Sequence, residues 1–188
     1  MTETDGEFAS RAGIKLVHAL DAFGIAVTGK VCADLGSSTG GFVDCLLQRG
    51  AAKVYAVERG YGVLAYRLRA DQRVVVMERT DALKVHLPET VELVTIDVGW
   101  TRQERILPVA RRLLGAGGEI VTLVKPHYEA PPELVRRGVL PDEYLETVLA
   151  PIRARLAESG LRLTGEAASP IRGAGGNREV LWRLCAGG

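Results

Sequence analysis

A chain of 188 residues, 47% hydrophobic and 25% charged, has the size and balance of one globular domain. These values exclude disorder, a collagen-like fibre and a disulfide scaffold as overall descriptions. With 24 Lys plus Arg against 23 Asp plus Glu, the net charge of +1 also excludes a polybasic protein, so nucleic-acid binding would have to rest on a local patch.

In chain order, residues 1–9 read as an acidic tail, unlike a signal peptide, and 10–188 as one domain. A helix is predicted over 10–23. At about 100° per residue, Ile14, Leu16, Val17, Leu20 and Phe23 share an apolar face, with Arg11, Lys15 and His18 opposite. That basic face is either a solvated surface or an overhang above a site. Runs rich in Val, Ile and Leu predict strands at 31–35, 53–58, 74–78, 92–97 and 119–125, with helices at 40–49, 63–70 and 102–114 between them. Such runs suit strands buried on both faces of a parallel sheet covered by helices. Residues 126–141, with Pro126, Pro131, Pro132, Gly138 and Pro141, predict a long irregular connection of the kind that forms lids or binding loops. A helix follows over 142–159, kinked or divided at Pro151. The last strands, 162–168 and 178–185, have no long helix between them and can pair antiparallel. The expected fold is α/β, a seven-stranded, mostly parallel sheet with one antiparallel strand. No apolar run approaches the ~18 residues of a membrane span. Cys32, Cys45 and Cys185 are widely spaced, which predicts no zinc site and a reducing, cytoplasmic setting.

The first strand runs into Asp34-Leu35-Gly36-Ser37-Ser38-Thr39-Gly40-Gly41-Phe42, and a helix then begins. Glycines let backbone approach a ligand, a helix N-terminus offers free N–H groups, and ligands of parallel sheets lie beyond the strands' carboxyl ends. The spacing is neither that of dinucleotide folds nor that of a phosphate-binding P-loop. Glu58, at the end of the second strand, is placed to accept from two ribose hydroxyls, and Asp81, after the third, from an adenine amino group. Acids recurring at strand ends suit a cation carrying a ribose and an adenine, features combined in S-adenosylmethionine. A turn-forming role for the glycines and a solvated Asp81 are the competing readings.

Asp97 closes the fourth strand and Lys125 the fifth, both at the ligand end. Glu179 opens the last strand; if that strand is antiparallel, its start lies at the same end. Lys15 comes from the first helix. Two lysines and two carboxylates around one crevice suit removal of a proton from a weak hydroxyl nucleophile, with Lys125 as base and the acids orienting. Ordinary salt bridges are the alternative for each residue alone.

Ser10-Arg11-Ala12-Gly13-Ile14-Lys15-Leu16, the turn at 34–42, Thr95-Ile96-Asp97-Val98, Leu123-Val124-Lys125-Pro126 and Gly176-Asn177-Arg178-Glu179 together resemble the FtsJ-like RNA 2′-O-methyltransferases, in particular their TlyA (haemolysin A-type) branch, which methylates ribosomal RNA. The resemblance implies a Rossmann-like S-adenosylmethionine-dependent methyltransferase fold with helices on both faces. It implies a catalytic set of Lys15, Asp97, Lys125 and Glu179. S-adenosylmethionine contacts are implied at Asp34, Gly36, Ser37, Ser38, Thr39, Gly40, Gly41, Phe42, Glu58, Asp81 and Asp97. The N-terminal RNA-binding domain usual in that branch is not found in these residues. The family's Val-Ser-Phe after the aspartate is Val98-Gly99-Trp100 here, and its Gln-Phe-Glu is His127-Tyr128-Glu129; the following loop lacks the family's Gly/Lys-rich stretch. These departures flank the acceptor side.

Arg11, Arg59, Arg136, Arg137, Arg172 and Arg178 are expected near the crevice, as an RNA track or as solubilising charge. Trp100 and Tyr128 either stack on a base or pack locally; Tyr61 is expected near the adenosine. His18 and His127 read as polar or packing residues, Cys32, Cys45 and Trp182 as core, and no metal is expected. The expected activity is methyl transfer from S-adenosylmethionine to an RNA ribose, with rRNA or a ribosomal subunit as partner and no membrane. A catalytically weak or inactive S-adenosylmethionine-binding module on RNA or the ribosome, and a small-molecule methyltransferase, are the alternatives.

Overall fold

The computed structural model describes residues 8–187; the acidic stretch 1–7 lies outside them. Phe8 and Ala9, placed in the tail by sequence, are packed on the domain. The Ala9 N–H donates to Asp44 Oδ2 at 2.7 Å. Gly13 leaves room for the Phe8 ring, which a Cβ there would meet at 2.3 Å.

Helix α1 (Ala12–Phe23) leads into β1 (Val31–Leu35), α2 (Gly41–Gln48), β2 (Lys53–Val57), α3 (Tyr66–Arg69), β3 (Val74–Met77), β4 (Val91–Ile96), α4 (Gln103–Leu113), β5 (Leu114–Val124), α5 (Pro126–Glu129), α6 (Leu145–Ala154), β6 (Leu161–Ala168) and β7 (Val180–Ala186). The seven strands form one sheet in the order β3-β2-β1-β4-β5-β7-β6, with only β7 antiparallel to its neighbours. The order reverses direction at β1 and β4, the position where parallel sheets open a crevice.

The alternation of apolar runs produces two cores. One face packs Leu16, Leu20, Phe42, Leu46 and Leu68, from α1, α2 and α3. The other packs Ile106, Leu107, Leu149 and Trp182 over β1, β4 and β5. Each aliphatic side chain so buried contributes about 1.5–3 kcal/mol, which fixes the helices on both faces of the sheet.

Several elements differ from their sequence expectation for identifiable reasons. Only Tyr66–Arg69 of the expected helix at 63–70 is helical, because Leu64 and Leu68 are drawn down onto Gly40, where a Cβ would meet Leu68 Cδ1 at 2.2 Å. Strand β5 begins at Leu114, before the expected 119, since Leu114 pairs with Val91 ahead of a register shift through the glycine-rich stretch. Helix α6 runs through Pro151 and ends at Ala154, so the proline does not divide it. The stretch 126–141 is not irregular throughout: it contains α5, a 3₁₀ turn at Pro132–Leu134 and a bridge between Arg136 and Val139. Strand β7 starts at Val180, so Glu179 immediately precedes it rather than opening it. Among the described residues, no helix is long and apolar enough to cross a membrane.

Candidate active site

The carboxyl ends of β1, β2, β4 and β5 border a cleft of about 510 Å³. Gly36, Ser38, Glu58, Asp81, Asp97, Trp100 and Lys125 line it, with Arg59, Thr80, Gly99 and Thr101.

Gly36 turns the chain out of β1 with φ +89°, and a Cβ there would lie 2.7 Å from the Asp97 carbonyl oxygen. Glycine is therefore required by both conformation and space. Ser38 follows with φ +48°; its N–H donates to Glu58 Oε2 at 2.8 Å, and Gly60 N–H donates to Glu58 Oε1 at 2.7 Å. Two backbone donors thus aim the Glu58 carboxylate at the cleft mouth. Asp81 accepts from the Leu83 N–H at 2.9 Å and lines the cleft at the far side of Glu58.

The rest of the turn is support. Asp34 is fully buried and accepts from Thr95 Oγ1 at 2.7 Å, while its Oδ2 has no hydrogen-bond partner among the described residues. Burial pushes its carboxyl up to about 7, against the Thr95 hydrogen bond. Ser37 is buried and its hydroxyl donates to the Asp34 carbonyl at 3.1 Å. Thr39 is exposed, its carbonyl receiving the Ala65 N–H at 3.1 Å. Gly41 gives α1 its close approach, since a Cβ would fall 2.3 Å from Ser10 Oγ. The Phe42 ring is a core residue at 2% exposure. Asp34, Ser37, Thr39, Gly40, Gly41 and Phe42 are not among the residues that line the cleft; they hold the turn that presents Gly36 and Ser38 to it.

The four ionisable residues form two ion pairs. Lys125 Nζ lies 2.6 Å from Asp97 Oδ1 and donates to the Val98 carbonyl at 3.2 Å. Lys15 Nζ pairs with Glu179 Oε2, both side chains at or below 9% exposure. Lys15 therefore does not belong to a solvated basic face: it is buried on α1 alongside Leu16 and Ala19. Val124 faces Val180 across β5 and β7. Lys125 follows the one and Glu179 precedes the other, so the two pairs are neighbours at the end of adjacent strands. Gly173 closes over Glu179; a Cβ there would lie 2.3 Å from Oε1.

At the cleft beside Asp97, Trp100 is 84% exposed with φ +53°, its ring centroid 5.5 Å from that of Tyr128. The His127 ring lies 4.1 Å from Tyr128, and burial and then Lys125 lower its pKa. Arg11 is exposed at the start of α1, outside the cleft lining. Tyr61, also exposed, stands under the Arg79 guanidinium at 4.2 Å instead of in the cleft.

Three residues carry positioning work that sequence reading did not assign. Glu78 accepts from Gly62 and Val63 N–H at 3.0 and 3.1 Å and from Arg69 at 2.6 Å. Those donors, the Gly62 N–H first, hold its carboxyl down at about 2, which fixes the loop after Glu58. Its place at a strand end, like that of Glu58, was the available signal. Buried Gln103 accepts from Thr122 Oγ1 at 3.0 Å, and its N–H donates to Glu129 Oε1 at 2.7 Å. Asn177, 2% exposed, joins two loops through the Leu140 N–H and the Gly138 carbonyl, both at 2.9 Å.

Residues 8–184 match the FtsJ-like methyltransferase family. The chain is 44% identical to the 16S/23S rRNA (cytidine-2′-O)-methyltransferase TlyA of Mycobacterium tuberculosis, covering 97% of this chain and 70% of that one. It is equally 44% identical to the candidate rRNA methyltransferase YqxC of Bacillus subtilis, over 94% of this chain but 65% of YqxC. A candidate hemolysin from Streptococcus thermophilus superposes with a TM-score of 0.94 at 35% identity, covering 99% of this chain and 70% of that one. The chain thus spans about two thirds of the length of these relatives. With residues 8–184 matched to the family and two lysine–carboxylate pairs beside the carboxyl ends of its sheet, the chain belongs to the FtsJ-like methyltransferases.

Proposed function

We propose that this domain transfers a methyl group from S-adenosylmethionine to a ribose 2′-hydroxyl of RNA, with ribosomal RNA as the substrate class and the cytoplasm as its place of action. The observation that carries the reading is the Asp97–Lys125 pair at the cleft wall, next to the buried Lys15–Glu179 pair. TlyA relatives named as rRNA (cytidine-2′-O)-methyltransferases support the acceptor class.

The cleft suits the cofactor. Glu58, with both oxygens steadied by backbone donors, takes the ribose hydroxyls, and Asp81 lies along the wall for the adenine amino group. Gly36 keeps that wall open where a side chain would collide. Asp97 adds negative charge that complements a sulfonium. Bound S-adenosylmethionine supplies an electrophilic methyl group for in-line displacement.

The chain's own residues do the rest. Lys125 Nζ, as the neutral amine left once it has released its own proton to solvent, takes the proton from the 2′-hydroxyl oxygen, a contribution of about 10²–10⁴ in rate. Asp97 and the Val98 carbonyl hold Nζ in place. Lys15 and Glu179 fix the neighbouring wall and orient the ribose. Trp100 and Tyr128, exposed and half-exposed on the acceptor side, stack on the target base. Arg11 contributes charge for the backbone beside α1.

The test is site-mapped ribose methylation of ribosomal RNA incubated with wild type and with Lys125→Ala, alongside calorimetry of S-adenosylmethionine. New 2′-O-methyl signal from wild type, its loss in the variant and unchanged cofactor binding are expected. An unchanged rate in Lys125→Ala overturns the mechanism.

A further inference from the structure

The segment 135–140 contains a tight two-residue turn that side-chain and backbone hydrogen bonds tie to the fold. Arg136 and Val139 exchange both backbone hydrogen bonds, at 2.8 and 2.9 Å. The two central residues, Arg137 and Gly138, have φ of +50° and +80°. Two positive φ values in succession define the hairpin turn that normally calls for Asn-Gly or Gly-Gly. Here an arginine occupies a position that L side chains rarely adopt. Strain of this kind persists where surrounding structure holds it and marks places of functional interest.

The holding group is Asn177. Its buried side chain accepts from the Leu140 N–H and donates to the Gly138 carbonyl, both at 2.9 Å. Asn177 lies two residues before Glu179, and its own carbonyl receives the Gly173 N–H at 2.9 Å. The turn is thereby fastened to the wall that carries the Lys15–Glu179 pair.

Charge on this rim is divided. Arg172 and Arg178 both bind Asp142, at 3.1 and 2.7 Å. Arg136 and Arg137 are exposed at the turn, and no ion pair is formed by either among the described residues. Two free guanidinium forks on a rigid support match phosphate oxygens, which they bind in bidentate fashion.

From this we infer that the Arg136–Arg137 turn is a phosphate clamp for the RNA strand flanking the methylated ribose, set in register with Glu179 through Asn177. The inference rests on the RNA reading above and deepens it. Phosphate contacts position a nucleic acid without reading its sequence, so the clamp acts on affinity and not on the methyl-transfer step.

The experiment is filter binding of protein-free ribosomal RNA across a range of KCl concentrations, using wild type, Arg136→Ala/Arg137→Ala and Arg162→Ala. Arg162 lies at the opposite end of the sheet, at the start of β6, and serves as control. The double variant is expected to bind about tenfold more weakly at 0.1 M KCl, with the slope of log K on log [KCl] reduced by about 1–2. Its kcat at saturating RNA and its S-adenosylmethionine affinity stay at wild-type values, and Arg162→Ala keeps the wild-type slope. An unchanged slope in the double variant overturns the clamp. So does weaker binding to ribosomal subunits with unchanged binding to bare RNA, which would make the turn a protein contact. If wild type binds RNA and the variant loses the slope, yet neither transfers methyl groups, the clamp stands and the methyl-transfer reading falls.

Discussion

Lys15–Glu179 and Lys125–Asp97 are the same chemical pair in different surroundings. The first has side chains 9% and 4% exposed, roofed by Gly173 and rooted in α1; the second has 17% and 19% and stands in the cleft wall. A closed pair gives up water on both partners and is strongly coupled to the fold, whereas an open one keeps access to incoming groups. In the function proposed above, the difference assigns separate roles: the open pair handles the proton, and the closed pair holds the geometry in which it does so.

Substitutions test that separation. The largest effect is expected from Lys125→Ala, a loss of about 10²–10⁴ in methyl-transfer rate with little change in melting temperature, measured by single-turnover methylation beside calorimetry. Lys15→Met leaves Glu179 buried without its cation and is expected to cost about 3–5 kcal/mol of stability, read by urea unfolding. If Lys15→Met left stability unchanged, the contrast between the pairs would collapse. A third charge sharpens it. Asp34 is buried without a cation, and its carboxyl is raised from the usual range to about 7. A raised carboxyl binds a proton more tightly folded than unfolded, so its contribution is fully present below about pH 4 and is lost as pH rises through about 7. Unfolding measured across that window is expected to show stability falling by up to about 4 kcal/mol from this group, and Asp34→Asn to flatten the fall. The smallest effect is at the exposed shelf: Trp100→Ala is expected to weaken RNA binding by about 1–3 kcal/mol and leave cofactor affinity untouched, measured by RNA titration. Equal RNA binding in that variant would return Trp100 to local packing.

Much of the scaffold was legible because buried parallel strands are written as continuous apolar runs. Strand β1 was located at its observed bounds and β2, β3 and β4 to within a residue. The errors arose where a distant contact overrode a local pattern. Helix α3 is short because its leucines reach Gly40 from another part of the chain. Helix α6 is not divided at Pro151, because a helix anchored by Val148 and Leu149 tolerates one missing N–H. The strand ends carry Asp97, Lys125, Glu58 and Asp81, and all four line the cleft. The Phe42 ring packs in the core and Tyr61 meets Arg79, since neither a ring's direction nor its partner is encoded in a turn motif. Lys15 shows the limit most clearly. On a helical wheel it groups with Arg11 and His18, yet only Glu179, 164 residues away, makes its burial affordable.

The sequence by itself determined the sheet, its glycine turn, the order of the acids at the strand ends and the resemblance that groups them, because periodicity, glycine and strand termini are local properties. The tertiary structure alone decided which charges meet, which of the two pairs is closed, and which arginines have no carboxylate partner among the described residues. Those outcomes depend on the antiparallel register that sets β7 beside β5 and on burial that only a packed chain can create.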